Sequence, residues 1–462
     1  MNNTIKPAYY LILIFGIGIT FRLYNINFDD LWLDEILTFW IANPYDSLSE
    51  SFANHRTIEQ VPFLFNLITK IYFEIFGYDV YIARFIPALC SILSLLVIFF
   101  LSKILSSNNA YIFSTFLVSF NIFLISYSQE LRVYSSLFLF NSLSILFFFK
   151  IIKTNRILTN VLFSISSIIS ILLHPFSFIV IFSYINYLIF LYSKGQKFKY
   201  LYISLLSVIL VFIIYYFFLY SIKYSGTPSW ITLPDIKFFT NFYFSKFFGS
   251  RLVGLIHLII LLYLMSCFFI YKIKKDYIIF FSFLIIYSYL LPLAYSFIFS
   301  PIILARYIIF VLIPIIIIIS HLTFEMKKNK KKILIFIITI TTIGNLYTEQ
   351  TVQQFIKERW IYKPQFNKSL SIINKSDYKK YKIKIKDEVL TKISAEKALK
   401  NYIDHLSQKK NYDLEYLKFD NSFNDSFWSI CLYDLNDNNC TTNNSSVKKI
   451  IRLNRVEIIL NN

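Results

Sequence analysis

Long runs of apolar residues, separated by short polar stretches, make up most of the chain up to about residue 347. Two of these runs read PALCSILSLLVIFFL (87–101) and ILIFIITITTIG (333–344). Each is close to the roughly 20 apolar residues that a helix needs to cross a bilayer. The pattern therefore predicts about eleven transmembrane helices, over residues 7–26, 85–105, 110–127, 133–152, 157–173, 176–193, 200–222, 253–271, 277–297, 306–324 and 333–347.

The composition agrees with an all-α polytopic membrane protein. Of the 462 residues, 56% are hydrophobic and 16% are charged, whereas soluble domains have roughly a quarter charged residues. The first apolar run is not followed by a small-residue cleavage site, so we expect it to be retained as a span rather than removed as a signal peptide.

The net charge of +19 could suggest a nucleic acid partner, but the positions of the basic residues explain it differently. Basic residues concentrate in the connections after the second, fourth, sixth, eighth and tenth predicted spans: Lys103; Lys150, Lys153 and Arg156; Lys194, Lys197 and Lys199; Lys272, Lys274 and Lys275; Lys327, Lys328, Lys330, Lys331 and Lys332. The short connections on the other side contain only Arg132 and Arg306. By the positive-inside rule, the N-terminus lies in the cytoplasm. Contact with anionic membrane lipids accounts for much of the remaining excess, and we expect no nucleic acid partner.

Two domains are predicted, a transmembrane domain over 1–347 and a small extracytoplasmic α+β domain over 348–462. The tail has strand-like segments in YKIKIKDEV, DLEYLKF, SFWSICLYDL and VKKIIRLNRVEIIL, and a helical run in SAEKALKNYIDHLSQ. Cys431 and Cys440 lie in this tail, where they can form a disulfide or remain free thiols.

The first outer connection, residues 27–84, contains a candidate interfacial helix. In VPFLFNLITKIYFEIFG (61–77), the polar residues Asn66, Lys70 and Glu74 recur every four positions among apolar ones. That spacing forms one narrow polar stripe on a helix. Such a helix can lie in the plane of the membrane interface.

The same connection places acids beside large aromatic residues in FDDLWLDEILTFW (28–40). Asp34 and Glu35 are either helix N-terminal carboxylates or a general base and a substrate or metal ligand, because a poorly solvated carboxylate becomes a better base. Trp32 is either an interface anchor or a platform for a sugar. Asp29 and Asp30 are interpreted as loop carboxylates.

Further polar candidates are predicted on the same side of the membrane. Glu59 and His55 in HRTIEQVPFLFNL bring another acid and a candidate metal ligand. Glu130 and Arg132 in YSQELRVYS either pair with a charge or mark a site, because charges close to lipid are costly. His174, in the turn LHPF, is most simply an interfacial residue.

Arg306, in FSPIILARY, either extends to lipid headgroups or binds a phosphate, for which a guanidinium is well suited. Together these features fit one substrate, a sugar linked to a lipid phosphate. The acids can act as a base, the arginines can hold the phosphate, and the apolar helices can hold the lipid tail. Breaking its glycosyl–phosphate bond places positive character on the sugar and negative charge on the phosphate.

The order of these motifs along the chain resembles that of the GT-C membrane glycosyltransferases. The motifs are LWLDE, an acid before a Pro and an interfacial helix ending in FG, IARFIPAL, YSQELRVY, a His turn and ARY. The group most similar is that of protein O-mannosyltransferases and aminoarabinose transferase-like enzymes, over about residues 1–325. The resemblance implies a GT-C-like transmembrane enzyme that uses a polyprenyl-phosphate sugar on the extracytoplasmic side, usually with inversion.

The resemblance also implies roles for individual residues. Asp34 would be the general base, and Glu35 would orient the substrate or a metal ion. The donor phosphate would lie near Gln129, Glu130 and Arg132, in the motif that also contains Tyr134, and near Arg306 and Tyr307. Many relatives have Asp-x-His-Pro-Pro before the interfacial helix, whereas this chain reads Glu59, Gln60, Val61, Pro62, which weakens the case for a His-assisted divalent metal cofactor.

The acceptor would be a glycolipid, a lipopolysaccharide or a protein.

Two other functions are compatible with the same polar residues and apolar helices. A transporter or flippase of lipid-linked saccharides would place binding residues near the middle of the membrane, whereas here the polar residues gather on one side. A ligase or polymerase that moves a whole glycan would have almost the same site.

Overall fold

A computed structural model of the chain describes residues 5–59, 61–106, 108–154, 156–219, 231–348, 363–385, 392–417, 426–432 and 447–461. The first helix is α1 (Ile5–Leu23), and the first outer connection contains α2 (Leu33–Ile41), α3 (Leu48–Ile58) and α4 (Leu64–Phe76). There follow α5 (Phe85–Leu105), α6 (Ala110–Ser119), α7 (Ile122–Ser128), α8 (Tyr134–Thr154), α9 (Ile157–Leu173), α10 (Phe178–Ser193) and α11 (Lys199–Ile214). The later helices are α12 (Ile236–Asn241), α13 (Phe244–Phe247), α14 (Arg251–Ile270), α15 (Tyr277–Ile298), α16 (Leu312–Glu325), α17 (Lys328–Thr348), α18 (Phe366–Lys375) and α19 (Lys392–Lys409).

Contacts between Cα atoms divide the chain into two compact units. The membrane unit comprises Met1–Tyr24 and Phe85–Arg359, and the loop–tail unit comprises Asn25–Arg84 and Trp360–Asn462. The first outer connection thus packs with the tail, although the sequence placed it with the transmembrane domain. The predicted boundary after residue 347 itself stays a prediction.

The membrane unit is a multi-pass helical bundle. Helices overlap all eleven predicted ranges. Among the described residues, however, only six helices are long and apolar enough to cross a membrane on their own, and the bent pair α6–α7 would make a seventh. The remaining predicted spans correspond to shorter apolar helices or, in α17, to a helix that begins with several lysines. The count of eleven is therefore not confirmed.

The 52° bend between α6 and α7 has a clear local cause. Asn121 caps α7, because its side-chain oxygen accepts a hydrogen bond from Leu124 N at 3.0 Å. At the end of α6, the buried guanidinium of Arg22 donates to the carbonyls of Val118 and Ser119, both at 3.1 Å. These bonds satisfy the carbonyl groups that the helix end leaves without intrahelical partners.

The loop–tail unit contains a five-stranded mixed sheet in the order β2-β1-β3-β5-β4. Its strands are β1 (Lys380–Ile385), β2 (Glu415–Tyr416), β3 (Phe427–Leu432), β4 (Val447–Leu453) and β5 (Val456–Asn461). β1 is parallel to β2 and β3, whereas β5 is antiparallel to β3 and β4. α19 packs on β1 and also on α2 of the first outer connection. The predicted small α+β tail is confirmed for the described residues.

Cys431, in β3, is disulfide-bonded. Cys440, the predicted partner, lies outside the described residues. The other two cysteines, Cys90 and Cys267, are free.

Candidate functional site

The acidic loop, residues 28–35, owes its shape to the start of α2. Trp32 precedes the helix, and its backbone N–H donates to the Glu35 carboxylate at 3.3 Å. A carboxylate three residues into a helix stabilises the first turn in this way. Asp34 and Glu35 are therefore both held in the first turn of α2, but on different sides. Glu35 is fully buried, whereas Asp34 is half-buried.

Glu35 forms a two-pronged ion pair with Arg84. The guanidinium Nε and Nη2 atoms donate to the two carboxylate oxygens at 2.8 and 2.9 Å. Lys363, from the tail, donates to Oε2 at 2.7 Å. Burial by itself raises the pKa of Glu35, but the charges and hydrogen bonds of Arg84 and Lys363 outweigh it and lower the pKa. Glu35 is thus an ionised anchor for α2.

Arg84 also holds the backbone of the acidic loop. Its Nη1 donates to the carbonyls of Ile26 and Asp29, both at 2.9 Å, and its Nη2 donates to the carbonyl of Asp30 at 3.1 Å. Arg84 is only 2% exposed. One buried guanidinium therefore fixes both the path of the loop and the position of its helix.

Asp30, which the sequence suggested was only a loop carboxylate, connects the loop to the tail. Its carboxylate accepts hydrogen bonds from the backbone N–H of Asn367 at 2.8 Å and from the side-chain amide of the same residue. Burial raises the pKa of Asp30, and the bonds from Asn367 and the charge of Arg84 oppose that rise. Tyr402, from α19, accepts a hydrogen bond from Leu31 N at 3.1 Å.

His55 and Glu59 lie in and just after α3. The two ring nitrogens of His55 are used within the fold: Nε2 lies 2.9 Å from the carbonyl oxygen of Val61, and Nδ1 lies 2.9 Å from the side-chain nitrogen of Asn66. Neutral imidazole matches this arrangement, with Nε2 donating and Nδ1 accepting. Glu59 is half-buried, and Gln60 lies outside the described residues.

α4 buries two of the three residues of its polar stripe, whereas the third, Glu74, is exposed. Asn66 and Lys70 are buried, and the Lys70 ammonium donates to the carbonyls of Asn43 and Asp46 at 2.5 and 2.7 Å. The exposed side chains of α4 include Ile71, Ile75 and Phe76. The interfacial position that the sequence predicted for α4 stays a prediction.

In the membrane unit, four predicted residues from three distant motifs form the aromatic–arginine cluster: Tyr134, His174, Arg306 and Tyr307. The Arg306 guanidinium lies 5.7 Å from the ring centres of both Tyr134 and Tyr307. The His174 and Tyr307 rings are 4.8 Å apart. Attraction between the guanidinium and the ring faces holds such a group in place, and its hydrogen-bond donors suit an anion.

The elements around this cluster explain its position. Tyr134 begins α8, and His174 follows α9, where its Nδ1 accepts a hydrogen bond from Phe176 N at 3.2 Å. Arg306 and Tyr307 lie in a turn before the short 3₁₀ helix Ile309–Val311, so the helix begins later than the predicted span over 306–324.

The motif YSQELRVYS lies between α7 and α8. The side-chain amide of Gln129 donates to the carbonyls of Phe21 and Tyr24, at 3.0 and 3.2 Å, and thereby caps the end of α1. Arg132 is 8% exposed and lies two residues before Tyr134 of the cluster. Glu130 is half-buried.

In the part of the chain that the structure describes, no three or more His, Cys, Asp or Glu side chains are grouped so as to hold a metal ion. The divalent metal cofactor stays a prediction, and His55, with both nitrogens engaged, does not fit as its ligand without rearrangement.

The sequence did not identify Lys363 and Asn367 as partners of the acids, because both come from the tail, more than 300 residues away. Arg84 was visible in IARFIPAL, directly before a span, but its role was not. A charged residue so close to the membrane costs free energy unless it is paired. The sequence could therefore have indicated that Arg84 has an acidic partner, although not which one.

Comparison with known proteins finds similarity in a segment of the sequence and in the whole fold. Residues 60–219 match the family model of dolichyl-phosphate-mannose-protein mannosyltransferase. No curated protein matches the chain significantly in sequence.

Two solved proteins share the architecture over most of their length. ArnT from Cupriavidus metallidurans, bound to undecaprenyl phosphate, superposes with a TM-score of 0.60 at 10% identity, covering 98% of each chain. The oligosaccharyltransferase AglB from Archaeoglobus fulgidus, in complex with an inhibitory peptide and a dolichol-phosphate, superposes with a TM-score of 0.53 at 9% identity, covering 92% of this chain and 69% of the other. At these identities the likeness establishes the fold.

Proposed function

This chain has the GT-C fold of membrane glycosyltransferases, and from that premise we propose that it transfers a sugar from a polyprenyl-phosphate donor to an acceptor on the extracytoplasmic side of the membrane. The observation that carries the proposal is the set of hydrogen bonds that holds the acidic loop. A buried arginine, a lysine and the start of α2 hold one acid, Glu35, as an anchor, and leave the neighbouring Asp34 half-buried in the first helical turn.

Asp34 is the general base in this proposal. The acceptor oxygen or nitrogen forms a bond to the anomeric carbon, the bond from that carbon to the phosphate oxygen breaks, and the lipid phosphate keeps the electron pair. The acceptor proton passes to Asp34. A single displacement of this kind inverts the configuration at the anomeric carbon.

Glu35 and Arg84 are positioning residues. Both oxygens of Glu35 already accept hydrogen bonds from Arg84 and Lys363, so its contribution is to hold α2 and, through α2, Asp34. Preorganised groups of this kind need no rearrangement when charge develops in the transition state.

Arg132 and Arg306 are proposed contacts of the donor phosphate, with Tyr134, Tyr307 and His174 shaping the arginine environment and Gln129 and Glu130 supporting the loop between α7 and α8. Guanidinium groups bind phosphate oxygens through paired hydrogen bonds. The ligands of the two similar structures support a lipid phosphate, since ArnT was solved with undecaprenyl phosphate and AglB with a dolichol-phosphate.

The acceptor class is a glycolipid, a lipopolysaccharide or a protein, and Glu59 and Trp32 are candidates for contacts with the sugar or the acceptor. Mass spectrometry of glycolipids and glycoproteins from a deletion strain and its parent would identify the acceptor. The proposal expects one class to lose the mass of a single sugar. The loss of a larger glycan would indicate a ligase or polymerase instead.

The direct test is Asp34→Asn, because the amide keeps the shape but cannot accept the acceptor proton. We expect the transfer rate to fall by at least about a hundredfold, as general-base catalysis contributes roughly 10²–10⁴. The assay measures transfer from a polyprenyl-phosphate sugar in membranes. Asp413→Asn is the matched control, since Asp413 is an exposed carboxylate of the tail. Near-normal transfer by Asp34→Asn would exclude it as the base.

A further inference from the structure

α10 and α11 are consecutive in the chain but pack on different neighbours. The short turn 194–198 joins them, yet α10 packs on α15 and α11 packs on α9. α11 is also the least buried of the six long apolar helices among the described residues. A groove of about 680 Å³ lies between α10 and α11, within the ~300–1,000 Å³ that ligand sites commonly have.

The walls of the groove differ from one end to the other. Apolar side chains line its length: Ile185, Leu188, Ile189, Leu205, Leu206 and Ile209. At the end where the helices are joined, the lining consists of Tyr192, Lys197, Lys199 and Tyr202. The groove therefore fits an amphipathic ligand with a long apolar chain and an anionic head.

The charge at the polar end is not neutralised by the described residues. No Asp or Glu lines the groove. Neighbouring Lys194 pairs with Asp276 at 2.9 Å, but Lys197 and Lys199 are exposed and form no ion pair with a carboxylate in the described ranges. Basic groups at the end of a groove between membrane helices attract anionic lipid headgroups.

The length of the groove restricts the ligand further. Lys199 and Ile209 are ten residues apart on α11, which corresponds to about 15 Å along a helix. That is half of the roughly 30 Å hydrocarbon core of a bilayer. The ligand thus occupies one leaflet, and the charge pattern of the connections predicts that it is the cytoplasmic one.

We propose that this groove binds an anionic glycerophospholipid, with its phosphate at Lys197 and Lys199 and an acyl chain between α10 and α11. The site is separate from the proposed sugar transfer, which uses a lipid phosphate on the opposite side of the membrane. The bound lipid fills the gap between two helices that make few contacts with each other.

Native mass spectrometry of the purified full-length protein tests the site, with phosphatidylglycerol and phosphatidylcholine of identical acyl chains as probes. Wild type is expected to retain phosphatidylglycerol preferentially. Lys197→Gln/Lys199→Gln should weaken that binding at least tenfold. Lys272→Gln/Lys274→Gln is the matched control, because these lysines belong to another cytoplasmic connection and do not line the groove. Leu206→Trp, which fills the groove, should reduce binding without any change of charge.

Three results would overturn the proposal: equal retention of the two lipids by wild type, unchanged retention by Lys197→Gln/Lys199→Gln, or an equal loss in the control. Displacement of phosphatidylglycerol by equimolar undecaprenyl phosphate would assign the groove to a polyprenyl carrier instead. Thermal unfolding in detergent confirms that each variant is folded. Because the readout is bound lipid, the result does not depend on transferase activity.

Discussion

Arg84 combines two tasks that usually fall to different residues: it neutralises a buried acid and it replaces missing backbone partners in a loop. Its guanidinium contacts Glu35 twice and three carbonyl groups of residues 26–30. A planar group with five donors can satisfy this set, whereas an ammonium cannot. The geometry of Asp34 therefore depends on a residue that need not touch the substrate.

Replacing Arg84 should affect both stability and transfer. We expect Arg84→Ala to destabilise the fold by about 3–5 kcal/mol, because it leaves a buried carboxylate with reduced pairing. Arg84→Lys keeps the charge but loses the fork, so it should cost less stability while still lowering kcat. Thermal unfolding and transfer kinetics measure the two effects. If Arg84→Lys kept wild-type kcat, Arg84 would not position Asp34.

Glu35 and Asp30 should give stability opposite dependences on pH. The pKa of Glu35 is lowered in the fold, so its contribution is present above its unfolded-state pKa and is lost as the pH falls through the folded value. The pKa of Asp30 is raised, so its contribution to stability improves as the pH falls through its folded pKa.

Thermal unfolding of Glu35→Gln and Asp30→Asn between pH 3 and 7 tests these signs. Relative to wild type, Glu35→Gln should be most destabilised near neutral pH, with the difference shrinking in acid. The difference in stability between Asp30→Asn and wild type should change in the opposite direction, with the variant most destabilised in acid and less so near neutral pH. Parallel curves for the two variants would contradict the assignment.

At the scale of elements, periodic apolar patterns predicted the helices well because burial in a bilayer or a core depends on local sequence. The strands of the tail were also predicted, since β4 and β5 follow from a continuous run of apolar and basic residues in VKKIIRLNRVEIIL. Which side chains of α4 are buried could not be predicted from the sequence. Asn66 and Lys70 of its polar stripe are buried, whereas Glu74 is exposed. Lys70 donates to carbonyls of another loop, a pairing that no local pattern encodes.

The candidate site shows the same division. Tyr134, His174, Arg306 and Tyr307 were each selected from sequence, and the fold brings them together. The partners of Glu35 and Asp30 were not selected, because Lys363 and Asn367 become neighbours only when the tail folds onto the first outer connection. Long-range pairs of this kind require the tertiary fold.

The apolar outer face of α4 makes a prediction at the level of this element. A nitroxide attached at Ile75→Cys should be accessible to oxygen and shielded from a water-soluble nickel complex in reconstituted membranes, since Ile75 is 67% exposed in the protein and Ile71 and Phe76 of the same helix are also exposed apolar side chains. A label at Lys410→Cys, an exposed position of the tail, is the control and should show the reverse. Equal accessibility at the two positions would exclude an interfacial helix.

At the scale of the whole molecule, the orientation in the membrane is predicted from the distribution of basic residues between the spans. Among the short connections between spans, every basic residue except Arg132 and Arg306 lies in five alternate connections, and this bias predicts a cytoplasmic N-terminus and an extracytoplasmic tail. The disulfide-bonded Cys431 in β3 agrees with an oxidising compartment for the tail.

Labelling with a membrane-impermeant maleimide in intact cells tests this orientation. Asp413→Cys, in the tail, should react, whereas Lys274→Cys, between α14 and α15, should react only after the membrane is permeabilised. The native free cysteines, Cys90 and Cys267, lie within helices of the membrane unit, so wild type supplies the background. Reaction of Lys274→Cys in intact cells would reverse the orientation and place the acidic loop in the cytoplasm. A donor presented on the outer face could then no longer be the substrate, because Asp34 would be on the wrong side of the membrane.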